Sequence, residues 1–352
     1  MKKSEIRRDK VLKNLVEEYI ESVEPVSSKL ICEKYVKDIS PATIRIDLNK
    51  LENENYLYQQ HTSGGRIPTI KGYRKYIKML SSEIAKTKYE NLDVLRGILV
   101  KYYDDTPLAL HYIMRYLAKE TDQLSFVAEP EVSYGYLSKL DVFKISEKKL
   151  LFVVSLDSGI DKTVILNCDY GINQTQLRTI VKYVNEELMG RRIYDIQNRY
   201  LNEIASKISE ENKILRSFME ELQKALIEIS KYYIHFDGNI SFLELPEFDK
   251  RTMILKFLGF MQRQDHLVSL MQKCQSGRPY YYLLGEDLGE PDLSNYALLF
   301  AKYKIFGVPG YLGVLGPSRM DYRRNIPLLR DFAKVITNST NKGLVVSKNG
   351  KK

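Results

Sequence analysis

Apolar residues at Val11, Leu12, Leu15, Val16, Tyr19 and Ile20 fall on one stripe of an amphipathic helix between Arg7 and Glu21. Pro25 interrupts the stripe, and Ser27 or Ser28 can cap a second short helix carrying Leu30, Ile31 and Tyr35. Ser40-Pro41 opens a third helix, since proline at the first helical position lacks only an N–H that would be unpaired there anyway. Its wheel puts Ile44, Leu48 and Leu51 on one face and turns Ala42, Thr43, Ile46, Asn49, Lys50 and Asn53 outward. "YLYQQ" and "GRIPT" read as strands around a turn at Ser63-Gly64-Gly65, where glycine allows positive φ, with Arg66 at the tip. Three short helices followed by such a hairpin make a helix-turn-helix with a wing. The same pattern also suits a structural helical bundle with a solvated basic face.

Further along, helical spacing continues to about Tyr103, and the polar stretch Ser81 to Tyr89 is the expected first boundary. "LSFVAEP", "LSKLDVFKIS" and "KLLFVVSLDSGIDKTVILNCD" predict strands, and "TQLRTIVKYVNEEL" a helix. From Gly190 to Cys274 the pattern is mostly helical, and "RPYYYLLGED", "YALLFAKYKI" and "LGVLGP" return to strands before a last helix, "PLLRDFAKVI". The expected architecture is α+β: a winged unit at 1–80, a sheet domain at 90–189 and 275–340, a helical insertion at 190–274, and a flexible tail at 341–352. The apolar stripe of the helical insertion is either core or a surface that pairs subunits.

Charge changes the picture more than composition does. The net charge is +9, and between Glu54 and Glu83 there is no acid while Arg66, Lys71, Arg74, Lys75 and Lys78 all occur. A one-signed stretch with apolar periodicity reads as a folded cationic face, with nucleic acid as the leading partner and an anionic membrane surface second. No apolar run is long enough to span a membrane, and the basic N-terminus lacks the apolar core of a secretory leader. Three scattered cysteines suggest no disulfide framework, and the expected compartment is the cytoplasm.

Candidate chemistry adds little. The histidines at 61, 111, 235 and 266 have no ligand spacing, so no metal or cofactor is expected. Gly307, Gly310, Gly313 and Gly316 recur every third residue but match no phosphate loop, and turns and close-packed strands account for them better. Asp321 lies between Arg319 and Arg323, which suggests an ion-pair partner rather than a catalytic acid. No nucleophile, base and orienting group come together, so no enzyme is expected. The expected DNA-facing set is Thr43, Arg45, Ile46, Asn49, Lys50, His61, Arg66, Lys71, Arg74 and Lys75. His61 beside the wing serves either a phosphate contact or the hairpin itself.

"EEYIESVEPVSSKLI", "SPATIRIDLNKLENENYL" and "HTSGGRIPTIKGYRKYI" resemble segments of the heat-inducible transcription repressor family, HrcA. "AKYKIFGVPGYLGVLGPSRMDY" resembles that family's C-terminal signature, in the expected order. The resemblance implies a winged helix, a GAF-like domain and an inserted dimerisation domain. It further implies a homodimer that represses chaperone operons at a double-stranded inverted-repeat operator of the CIRCE type, loses activity on heat stress, and is kept active by a GroE-type chaperonin. A rival reading is a winged-helix repressor controlled by a small effector bound in the GAF-like domain. This chain departs from the family pattern at Ile46, where asparagine is usual, at Gln60, where proline is usual, and at Gly64 in a turn that is commonly Ser-Ala-Gly.

Overall fold

The computed structural model describes residues 3–36, 39–60, 64–103, 105–207, 212–231, 233–238, 240–274 and 277–341. The expectations for His61, for Ser63 in the turn and for the tail beyond Asn341 lie outside the described residues. The N-terminal unit comprises α1 (Lys3–Ser22), α2 (Ser28–Tyr35), α3 (Pro41–Asn53), β1 (Leu57–Gln59), β2 (Arg66–Pro68) and α4 (Ile70–Lys86). Next come α5 (Leu92–Lys101), α6 (Thr106–Thr121), β3 (Leu124–Ala128), β4 (Leu137–Ser146), β5 (Lys149–Leu156), β6 (Asp161–Asn167) and α7 (Gln174–Leu188). α8 (Ile193–Asp195) passes through a π-helical turn (Ile196–Tyr200) into α9 (Leu201–Lys207), followed by α10 (Lys213–Ile229) and β7 (Ile234–Asp237). The chain closes with α11 (Arg251–Gln262), α12 (Gln264–Lys273), β8 (Tyr281–Leu284), β9 (Tyr296–Ile305), β10 (Val308–Pro317) and α13 (Tyr322–Asn341). Helices and antiparallel strands segregate into layers, an α+β architecture.

The main sheet is antiparallel in the order β7-β3-β10-β9-β8. Leu299 and Ala301 of β9 join the core that contains α6 and α13, while Leu298 and Phe300 join the core that contains α11 and α12. Burial of both faces explains why "YALLFA" runs apolar instead of alternating. At the β9–β10 turn Gly307 has a φ of +87°, which an L side chain rarely adopts. Gly313 serves close approach instead: a Cβ there would meet the Leu299 carbonyl oxygen and come within 2.7 Å of the Phe126 ring.

Several expectations need correcting. Segments 90–189 and 275–340 do not form one sheet with a purely helical insertion between them. Among the described residues β4, β5 and β6 pair only with one another, while β3 and β7, the latter from within 190–274, join the main sheet. Strand-like sequence alone does not say which sheet a strand joins. The α10 stripe of Phe218, Met219, Leu222, Ala225 and Leu226 is buried, with the Phe218 ring 5.8 Å from Phe152 of β5. That stripe is core of this chain and is not free to pair subunits. Asp321 is no ion-pair partner of its neighbours either: it accepts the Arg324 N–H at 3.1 Å and so caps α13, while Arg319 pairs with Glu247 at 2.6 Å.

The polar stretch 81–89 is docked rather than free. Arg330 of α13 donates to the carbonyl of Ile84 at 2.7 Å and to that of Thr87. Asp331 accepts from Arg330 at 2.7 Å and from the Tyr89 N–H at 2.9 Å. Arg323 of α13 pairs with Glu17 of α1 and reaches Glu83 at 3.4 Å. One apolar cluster runs from Val11 and Leu48 through Tyr76 and Leu80 to Tyr322 and Phe332. The N-terminal unit and the main sheet therefore share a core.

Within the unit, buried Glu18 of α1 receives Lys34 at 2.7 Å and the Tyr35 hydroxyl at 2.5 Å from α2. These bonds, that of Lys34 first, hold its carboxyl below the usual carboxylate range. A lowered folded-state value means stability present above the unfolded-state pKa and lost as pH falls through the folded one.

Two predictions follow from this packing. Gly313→Ala should destabilise the chain by about 1–3 kcal/mol through overpacking. A Cβ at Gly97 of α5 meets nothing within 4 Å, so Gly97→Ala should stabilise by about 0.5–1 kcal/mol through helix propensity. Thermal melts of both variants check the opposite signs. Glu18→Gln should cost about 1–3 kcal/mol at neutral pH. The gap from wild type should narrow as pH falls below about 4, near the unfolded glutamate's value. Urea unfolding at pH 7 and at pH 3.5 measures both gaps, and an equal gap at the two values would refute the linkage.

Candidate nucleic-acid interface

Ser40 accepts the Thr43 N–H at 3.2 Å and its hydroxyl lies 3.0 Å from that of Thr43, so α3 starts where the Ser-Pro signal places it. Ile44, Leu48 and Leu51 are buried, and Asp47 lies on the same inner face with only 1% exposure. Arg7 of α1 grips Asp47 through two bonds of 2.6 and 3.1 Å. A paired, planar arrangement of this kind makes a buried carboxylate tolerable and fixes the rotation of α3 about its axis. Arg45, Ile46, Asn49 and Lys50 consequently stand exposed on the outer face, Ile46 by 56%. Thr43 is half-exposed at its edge.

The hairpin pairs Leu57 with Pro68, Tyr58 with Ile67 and Gln59 with Arg66. Arg66 and Val26 exchange two backbone bonds of 2.8 and 3.0 Å, so the α1–α2 connection adds a third bridged segment. Gly65 is needed for that approach and not for positive φ, since a Cβ there would lie 2.6 Å from the Val26 nitrogen. The Arg66 guanidinium turns back onto α3, 3.1 Å from Glu52 and 2.7 Å from the Asn49 Oδ1. It therefore ties hairpin to helix and occupies the Asn49 side-chain carbonyl oxygen.

The remaining expected cations separate from this face. Lys71 donates to the Glu54 carbonyl at 2.8 Å, and Lys75 pairs with Asp9 of α1 at 2.6 Å. Their ammonium groups lie 4.7 and 4.6 Å from the Tyr56 ring centre, a double cation–π contact. Arg74 leaves the unit altogether, pairing with Asp287 at 2.7 Å and with the Leu284 carbonyl at 3.2 Å. Thus Thr43, Arg45, Ile46, Asn49 and Lys50 come together, Arg66 braces them, and Lys71, Arg74 and Lys75 serve contacts within the chain. Sequence reasoning missed Arg7 and Arg330. Their partners lie 40 and 246 residues away, and no local pattern signals them.

The charge left on the outer face is positive because the acids of α3 are turned away or matched. Asp47 faces Arg7, Glu52 faces Arg66, and Glu54 at the helix end pairs with Arg8 at 2.7 Å. Among the described residues no helix is long and apolar enough to cross a membrane.

Known proteins give this arrangement its context. The family described as the HrcA protein C-terminal domain matches residues 108–326. A heat-inducible transcription repressor HrcA of Natranaerobius thermophilus is 30% identical over 96% of this chain and 97% of its own length. The corresponding repressor of Alkaliphilus metalliredigens is 27% identical over 94% of this chain and 96% of its own. A crystal structure described as that of a hypothetical protein superposes with a TM-score of 0.61 at 24% identity, covering 96% of this chain and 98% of that one, which supports the fold. With a family match across more than half its length and full-length relatives, this chain belongs to the HrcA family of heat-inducible transcription repressors.

Proposed function

We propose that the chain represses heat-inducible chaperone genes by binding duplex DNA as a homodimer on an inverted-repeat operator of the CIRCE type. The observation that carries this reading is the outer face of α3, where Arg45, Ile46, Asn49 and Lys50 are exposed beside a braced hairpin. A helix of this width enters a major groove, and the hairpin then lies beside it as a wing. Lys50 and Arg45 supply phosphate or base-edge contacts, and Ile46 offers an apolar contact to a thymine methyl.

A single recognition helix reads too few base pairs to select one operator, whereas two-fold symmetry matches an inverted repeat. The main sheet with its helices is read as the GAF-like domain, and the β4–β6 module with α7 and α10 as the insertion. The shared core ties DNA binding to global stability, so heating removes active repressor, and a GroE-type chaperonin, implied by the family resemblance, restores it. The protein is read as a cytoplasmic binding protein rather than an enzyme, in keeping with relatives named as repressors.

Fluorescence anisotropy with full and half operators tests the dimer. The intact chain should bind the full inverted repeat far more tightly than one half-site, because the second contact is intramolecular. Equal affinity for both would remove the case for a dimer on DNA.

The readers can be separated from the positioning charges. Lys50→Ala should weaken binding to specific and random duplexes alike and make the slope of log affinity against log salt shallower by about one. Ile46→Asn should leave that slope alone and change base preference at one position per half-site by about 1–3 kcal/mol. Binding selections on a randomised half-site measure the second effect, and unchanged preferences would show that Ile46 reads no base.

A further inference from the structure

A cleft of about 840 Å³ lies between α4 of the N-terminal unit and the main sheet, and no residue of α3 or of the hairpin strands lines it. α4 contributes Ile77, Lys78 and Ser81 to one wall, and β8 with the segment before it contributes Arg278, Tyr280 and Tyr282 to the other. Its volume falls within the range of about 300–1,000 Å³ typical of small-molecule sites.

The lining is electrically one-sided. Arg74, Lys78, Arg278 and Arg330 border the cleft against one carboxylate, Asp287. Asp287 is already taken, by Arg74 at 2.7 Å and by the Leu284 N–H at 3.0 Å. Arg330 is likewise occupied with Asp331 and the end of α4. Lys78 and Arg278 are exposed on opposite walls, and neither side chain has an ion-pair partner among the described residues. Two uncommitted cations across a gap suit a ligand bearing more than one negative charge.

The aromatic content narrows the class. Strand alternation sends Tyr281 into the α11–α12 side of the sheet, where it stacks on Phe300 at 5.2 Å. Tyr280 and Tyr282 point to the opposite side, half-buried against the core shared with α4 and α13. They give the cleft two phenol rings beside its free cations, and a planar ring packs well on such faces.

We propose that this cleft binds a nucleotide-class ligand, with its base against Tyr280 and Tyr282 and its phosphates between Lys78 and Arg278. A ligand there touches both α4 and the sheet. Any difference in its affinity between two settings of the joint shifts how the N-terminal unit is held. Binding itself requires no operator, so a failure here is distinct from a failure of the DNA reading.

Isothermal titration of the full chain with ATP and with GTP tests the site, with tripolyphosphate and adenosine as probes lacking the ring or the phosphates. At least one nucleotide should saturate at one per chain, with both partial probes at least tenfold weaker. Lys78→Glu and Arg278→Glu, at exposed positions, should each weaken it at least tenfold while thermal melts stay as in wild type. Tyr282→Leu should lower nucleotide affinity without altering that for tripolyphosphate. No saturable heat with either nucleotide would overturn the proposal. So would tripolyphosphate binding as tightly as the nucleotide, or wild-type affinity in both charge variants.

Discussion

The ion pair between Arg7 and Asp47 decides what the rest of the N-terminal unit can present. α3 carries a carboxylate on its apolar face, and burying it alone would cost several kcal/mol by the usual penalty of about that size for an unpaired ion. The two bonds from Arg7 remove that conflict and lock the helix rotation. With Ile44, Asp47, Leu48 and Leu51 all facing inward, Ile46 and Asn49 fall on the opposite side of the helix, and Arg45 and Lys50 on its two flanks. Arg66 completes the arrangement by fastening the hairpin to Glu52 and Asn49. Removing Arg7 would leave a buried charge and disturb the outer face without touching it.

The unit is not a bead on a string. α4 lies against α13, whose Arg330 satisfies carbonyls at the end of α4 and whose Arg323 reaches Glu17 and Glu83. Tyr73 of α4 and Tyr322 of α13 are 6.3 Å apart, and both are buried in the common core. A native fold rests on a margin of only about 5–15 kcal/mol. With a shared core, loosening the sheet domain also loosens the support of the N-terminal unit. That arrangement suits a repressor whose relatives are named for heat-inducible control.

Much of this was legible in the chain, for reasons that differ by element. α3 and the hairpin are encoded locally, by Ser40-Pro41, by the spacing of Ile44, Leu48 and Leu51, and by short apolar strands around glycine. The start and inner face of α3 match the expectation, and the two strands lie within the expected runs but are shorter. The cationic stretch was legible as charge but not as function. Lys75 and Arg74 look like neighbours of Lys71 on a DNA surface, yet their partners Asp9 and Asp287 come from distant segments. Periodicity also shows that α10 has an apolar stripe without showing what covers it, and here the cover is β5 and its sheet. Which sheet a strand joins is a tertiary choice, so β4 to β6 could not be told apart from β3 beforehand.

The role of the outer face of α3 can be settled by covalent capture. A photo-crosslinking residue placed at position 46 of the intact chain, mixed with labelled duplex carrying the inverted repeat, should become attached to DNA on illumination. The same residue at Val94, an exposed position on α5, should not. A scrambled duplex should compete poorly for the capture at 46. Capture at 94 with none at 46, or equal capture of scrambled and operator duplexes at 46, would contradict the assignment of α3 as the helix that reads the operator.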